Sequence, residues 1–165
     1  MDLATLANVL SATAVVSGVV FGMMQIRHMS KTRAIFSSAE LVHAMQNAAF
    51  VDAVGLLLTL PENADPKLVT ENPQMMDAAQ LVGHVFESLG VLVYHRILPL
   101  HLVDDLMGGF LRDTWLRLRP FVEEQRREHG VYYSEWMQWL VERLEEHPSP
   151  GKKQGAHLAH RRWRP

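Results

Sequence analysis

Residues 3–26 read LATLANVLSATAVVSGVVFGMMQI, 24 residues without a charge. As a helix rising about 1.5 Å per residue, this stretch reaches about 36 Å, enough to cross a hydrocarbon core of about 30 Å with some tilt. A cleaved signal peptide would begin with basic residues, carry a shorter apolar core and end at a small-residue cleavage site. Here the start is Met1-Asp2 and the C-terminal flank is Met23-Met24-Gln25-Ile26-Arg27. The small triplet Ala12-Thr13-Ala14 lies in the middle of the run. A buried core helix of this length without a charge is unusual, so the stretch reads as a transmembrane anchor. Arg27, His28, Lys31 and Arg33 follow it, and no Lys or Arg precedes it. The positive-inside rule then leaves the N-terminus outside and the body in the cytoplasm, as a single-pass protein of the inner (plasma) membrane. The chain has no cysteine, which fits a reducing compartment as it fits any other.

One face of the anchor is small. Ala7, Ser11, Ala14, Gly18 and Gly22 recur at helical spacing, and Gly18 to Gly22 is a GxxxG. Backbones can approach closely where side chains are absent, so Ala14, Gly18 and Gly22 mark a face for homodimerisation in the bilayer. The same spacings also arise by chance, because Gly and Ala are common in spanning helices.

The body, residues 34–146, has the length of one domain. It shows no sustained period-two alternation and no Asn-Gly or Asp-Gly hairpin turn. Its apolar residues recur at helical spacing instead: Ile35, Ala39, Val42, Met45 and Ala49, then Ala79, Val82, Phe86, Leu89 and Val93. A third stripe runs Leu100, Val103, Met107, Phe110 and Leu111, continued by Trp115, Leu118 and Val122. A fourth runs Trp136, Trp139, Leu140 and Leu144. Pro61 to Gln74 reads as the main loop, Asn72 as an N-cap with Pro73 at the first helical position, and Pro99 as a separator. Pro120 predicts a kink or break, Gly130 a helix end, and Ser134 with Glu135 a helix start. Leu41 to Pro61 has the length of a second span. Burying Asp52 at mid-bilayer would cost about 2.5–3.5 kcal/mol, which favours a soluble helix there. The expected architecture is all-α: a transmembrane helix (3–26), a basic juxtamembrane segment (27–33), and a bundle of four to six helices (34–146). A basic tail (147–165) without structure of its own completes the chain.

The tail holds Lys152, Lys153, Arg161, Arg162 and Arg164 without an acid, whereas acids outnumber Lys and Arg in the body. Five basic residues near an anionic leaflet each gain about 1 kcal/mol, and Trp163 suits the headgroup level. Together with Arg27, Lys31 and Arg33 they form a candidate lipid-headgroup contact. A solvated tail, pairing with the acidic body, or non-specific attraction to nucleic acid explains the same charges; specific nucleic-acid recognition is not expected.

Little points to a reaction. There is no Gly-x-Ser-x-Gly elbow and no Gly-rich phosphate loop, and Gly108-Gly109 reads as a close helix-packing point. Asp104, Asp105 and Asp113 read as a solvated face. Arg112 to Glu128 reads as an exposed charged helix, with a half-buried Arg126 tying that helix to its neighbours as the alternative. Glu40 and His43 form a Glu-x-x-His, the helical spacing used by di-iron and di-manganese bundles. His84 and Glu87 repeat it in reverse. A second forward pair is missing, so surface carboxylates and partly buried histidines account for these four residues more simply. No cofactor is expected.

The order of these features resembles a family of small bacterial proteins, known as a domain of unknown function, with one N-terminal span and a helical cytoplasmic body. The residues that carry the resemblance are Gln25-Ile26-Arg27, Phe86-Glu87-Ser88-Leu89-Gly90 with Val93-Tyr94, and Leu111 to Pro120 (LRDTWLRLRP). Glu124-Gln125-Arg126 and Tyr132-Tyr133-Ser134-Glu135-Trp136 complete them. The resemblance implies membrane tethering and a helical fold and supplies no catalytic residue. The leading expectation is a membrane-tethered interaction or scaffold module that meets the bilayer and an unidentified protein partner. The alternative is a ligand-sensing or metal-binding bundle built on Phe86 and Glu87 with Trp115.

Overall fold

The structure is a computed structural model that describes residues 17, 21, 23–25, 46–149 and 155–164. Two units divide after Ser37. In the first, the five described residues are helical and exposed. The anchor expected at 3–26 otherwise lies outside the described residues, as do Ala14, Gly18, Gly22, Arg27, Lys31, Arg33, Glu40, His43, Lys152 and Lys153. Among the described residues no helix is long and apolar enough to cross a membrane.

The second unit is all-α, with six helices and no strand among its described residues. They are α1 (Ala48–Leu57), α2 (Lys67–Thr70), α3 (Pro73–Tyr94), α4 (Leu100–His129), α5 (Glu135–Glu146) and α6 (Ala156–Ala159). Helix α1 begins at the Asn47 cap, whose side chain accepts the Ala49 amide at 2.9 Å. At 10 residues it is far short of a span, and Asp52 is exposed. Asn72 caps α3 by accepting the Gln74 and Met75 amides, and Pro73 occupies a position whose amide needs no partner.

Helix α3 packs against both α1 and α5. Its stripe Ala79, Val82, Phe86, Leu89 and Val93 is buried along its length. Phe86 meets Phe50 of α1 edge-on, with ring centroids 6.0 Å apart. On the other side the α3 backbone at Gly90 lies so close to Trp136 of α5 that a Cβ there would strike the Trp136 carbonyl. Val103, Met107, Leu111, Leu118 and Val122 complete the core from α4, but Phe110 of the same predicted stripe is about half exposed, at 49%.

Pro120 does not break α4, which runs 30 residues through it. A proline has no amide for the carbonyl four residues earlier. That carbonyl, of Leu116, instead accepts the Asn63 amide at 2.9 Å. Arg117 donates to the Leu60 carbonyl at 2.9 Å and Arg119 to the Asn63 side chain at 3.3 Å. The loop after α1 is thus pegged to the helix where the helix lacks its own donor. Asn63 adopts φ +52° to do so, a conformation Asn tolerates better than most residues.

Two sequence readings of α4 are corrected. Asp105 and Asp113 are exposed, but Asp104 is completely buried. Its Oδ1 pairs with Arg112 at 2.9 Å and its Oδ2 accepts the Ser149 amide at 2.8 Å. Burial pushes the Asp104 carboxyl up, but the Ser149 amide and Arg112 outweigh it and hold the group below its ordinary value. The contact also buries Ser149, so this residue after α5 docks on the body. Gly108 lies one turn from both partners, and a Cβ there would run into the Asp104 carboxylate and the Arg112 guanidinium. Gly108 makes room for an ion pair on its own helix, whereas Gly109 faces open space. Gly108→Ala should therefore destabilise the fold by about 1–3 kcal/mol through overpacking. The adjacent Gly109→Ala should stabilise it by about 0.5–1 kcal/mol through helix propensity. Urea denaturation followed by far-UV circular dichroism checks the opposite signs.

Candidate functional site

A cleft of about 510 Å³ is bounded by α3, α4 and the turn into α5. Gln80, His84 and Glu87 reach it from successive turns of α3, and Tyr132, Tyr133 and Ser134 from the turn. Its floor is apolar, with Leu118, Phe121, Val122 and Met137 all buried. The sequence sets this up simply: Glu87 follows the buried Phe86 by one residue, so its side chain emerges at the edge of the core.

Glu87 has a structural partner. Ser134 occupies the cap position of α5 but sits at φ +53° and makes no side-chain capping bond. Glu87 Oε1 accepts the Met137 amide at 2.7 Å and thereby caps α5 from a different helix. Burial raises the Glu87 carboxyl above its ordinary value. The Met137 and Trp136 amides oppose that rise, nearby Glu135 adds to it, and Arg126 opposes it. At the other end of α5, Arg112 donates to the Leu144 carbonyl at 3.0 Å.

Arg126 fixes the turn between α4 and α5. It donates to the Tyr133 carbonyl at 2.8 Å, the Ser134 carbonyl at 3.2 Å and Gln138 Oε1 at 2.6 Å. Of the two readings of this residue, the half-buried tie is the one found. The Tyr133 ring meets Phe121 edge-on at 6.2 Å, and burial raises its hydroxyl above the ordinary value. Tyr132 stands 75% exposed at the mouth.

Of the residues singled out from sequence, His84 and Glu87 line this one cleft, with His84 exposed and its Nδ1 2.7 Å from the Gln80 carbonyl. Trp115 does not join them; it lines a separate cleft with Gln138 and Val141. Among the described residues no three His, Asp or Glu side chains gather closely enough to hold a metal ion. In the tail, Arg161, Arg162, Trp163 and Arg164 are exposed beyond the short helix α6. Sequence reasoning missed Tyr132, Tyr133 and Ser134 as cleft residues. The only available signal was the Tyr-Tyr-Ser run itself, placed just after a helix-ending glycine.

Glu87→Ala should cost about 0.5–2 kcal/mol by orphaning the Met137 amide, whereas Glu87→Gln, which keeps an acceptor, should cost less. A raised carboxyl binds its proton more tightly in the folded chain. Its contribution is therefore full below the ordinary value of 4.5 and is lost as pH rises through the raised folded value. Calorimetric Tm values of wild type and Glu87→Gln should accordingly converge or cross in favour of Gln as pH rises through that window.

Comparison with known proteins bears on this cleft only at the level of the domain. No curated protein and no solved structure matches the chain. A family model described as a domain of unknown function, DUF4760, matches residues 12–144. That range takes in every residue of the cleft and most of the chain, and the protein belongs to the DUF4760 family.

Proposed function

We propose that the protein is a membrane-tethered helical interaction module, held at the cytoplasmic face of the inner membrane by residues 3–26. The observation that carries this reading is the 24-residue uncharged run. The family match begins at residue 12, inside that run, which makes the second half of the run part of the domain. The basic residues Arg27, Lys31 and Arg33 set the orientation. Lys152, Lys153, Arg161, Arg162, Trp163 and Arg164 add a second contact with anionic headgroups. The body offers a partner an apolar groove between α1 and α4, where Val51 and Phe110 are 52% and 49% exposed beside Val54, Leu58 and Met107. Full-length protein should pellet with membranes on ultracentrifugation, resist alkaline carbonate and be released by detergent. Recovery in the supernatant without detergent overturns the tether. If Gly18 and Gly22 pack two anchors together, Gly18→Ile with Gly22→Ile should abolish cross-linked dimers in membranes.

A second reading, a ligand-sensing bundle, draws support from the cleft: a half-buried carboxylate, two tyrosines and an apolar floor in one concave site.

A further inference from the structure

We propose that the cleft between α3, α4 and the turn into α5 binds a small organic ammonium ion through Glu87 and the rings of Tyr132 and Tyr133. The proposal rests on the ligand-sensing reading and names the class of ligand. Among the described residues Glu87 is the only carboxylate on the lining, and no Lys or Arg shares it. An anionic ligand would meet the Glu87 carboxylate, and the nearest cation, Arg126, is already engaged by the Tyr133 and Ser134 carbonyls. A bare metal ion would find too few ligands among the described residues. A neutral apolar ligand would fill the floor but give no polar partner to the half-buried Glu87 carboxyl.

An organic ammonium ion satisfies each wall of the site. Its charge meets the carboxylate, and its carbon substituents cover Leu118, Phe121, Val122 and Met137. Tyrosine faces attract cations through the ring quadrupole. Tyr132 lines the mouth and is 75% exposed, so its ring is accessible to a cation entering the cleft. Tyr133 is held in place by its T-shaped contact with Phe121, by the His129 ring and by Arg126 on its carbonyl. The Glu87 carboxylate is likewise pre-positioned, because one of its oxygens is already fixed on the Met137 amide. Little side-chain freedom is then lost on binding.

The test uses the full chain in non-ionic detergent, with choline and benzyltrimethylammonium as probes and dimethylbutanol as the uncharged carbon isostere of choline. Binding is read by calorimetry and by the amide shift of Met137 in chain carrying nitrogen-labelled methionine. Both ammonium probes should bind saturably and move the Met137 amide. Dimethylbutanol should bind at least about tenfold more weakly, and Glu87→Gln should weaken the ammonium probes by about tenfold or more. Tyr132→Ala changes an exposed ring outside the core, so it tests the site without threatening the fold. It should weaken the same probes several-fold at unchanged Tm. Equal binding of dimethylbutanol and choline, indifferent to Glu87→Gln, overturns the ammonium class while leaving a ligand cleft in place. Failure of all three probes to move the Met137 amide overturns both.

Discussion

Helix α5 has 12 residues, a length at which an isolated helix is marginal in water. It lacks a local side-chain N-cap, and two other helices supply hydrogen-bonding partners for its ends. Glu87 of α3 takes an amide at its start, and Arg112 of α4 gives to a carbonyl at its end. The Arg112 charge suits the carboxyl end of the helix dipole, whereas Glu87 serves the amino end as a hydrogen-bond acceptor whose charge burial penalises. The absence of a side chain at Gly90 lets α3 come near enough to Trp136 for the first of these contacts. The apolar faces then close between the three helices, with Leu140 and Leu144 fully buried. Hydrophobic burial supplies most of the driving force, but the polar end contacts set where α5 stops along its neighbours.

Much of the helical body was legible because an apolar stripe at helical spacing has one physical solution. Asn72-Pro73, Pro99 and Gly130 marked boundaries for equally local reasons. What could not be read was long-range. Asp104 looks like its exposed neighbour Asp105, and its pairing with Arg112 and the chain's return at Ser149 distinguish them. Ser134 has the chemistry of a cap, and the left-handed backbone that Arg126 helps hold disqualifies it. The paired glycines at 108 and 109 are indistinguishable as letters, yet one clears space for an ion pair and the other faces solvent. For the site, Glu87 was visible through its place beside Phe86. Its companions on the turn became neighbours only through the folding of α5.

Glu87 serves two surfaces at once. One side of its carboxyl belongs to the α5 helix start and the other to the cleft. A group that joins the cleft therefore meets a residue already coupled to the packing of α3 on α5, and occupancy of the site bears on the seating of a whole helix. This is the kind of linkage by which a small helical domain can convert a bound molecule into a changed outer face.

The proline within α4 has a wider consequence. Because Leu116 offers its carbonyl to Asn63 and not to its own helix, neither segment is complete alone. Opening the loop would leave an acceptor stranded in mid-helix, and unwinding the helix there would release the loop. The two must loosen together, as one cooperative unit spanning distant parts of the chain. A residue usually regarded as a defect thus ties the opening of an exposed connection to the integrity of α4.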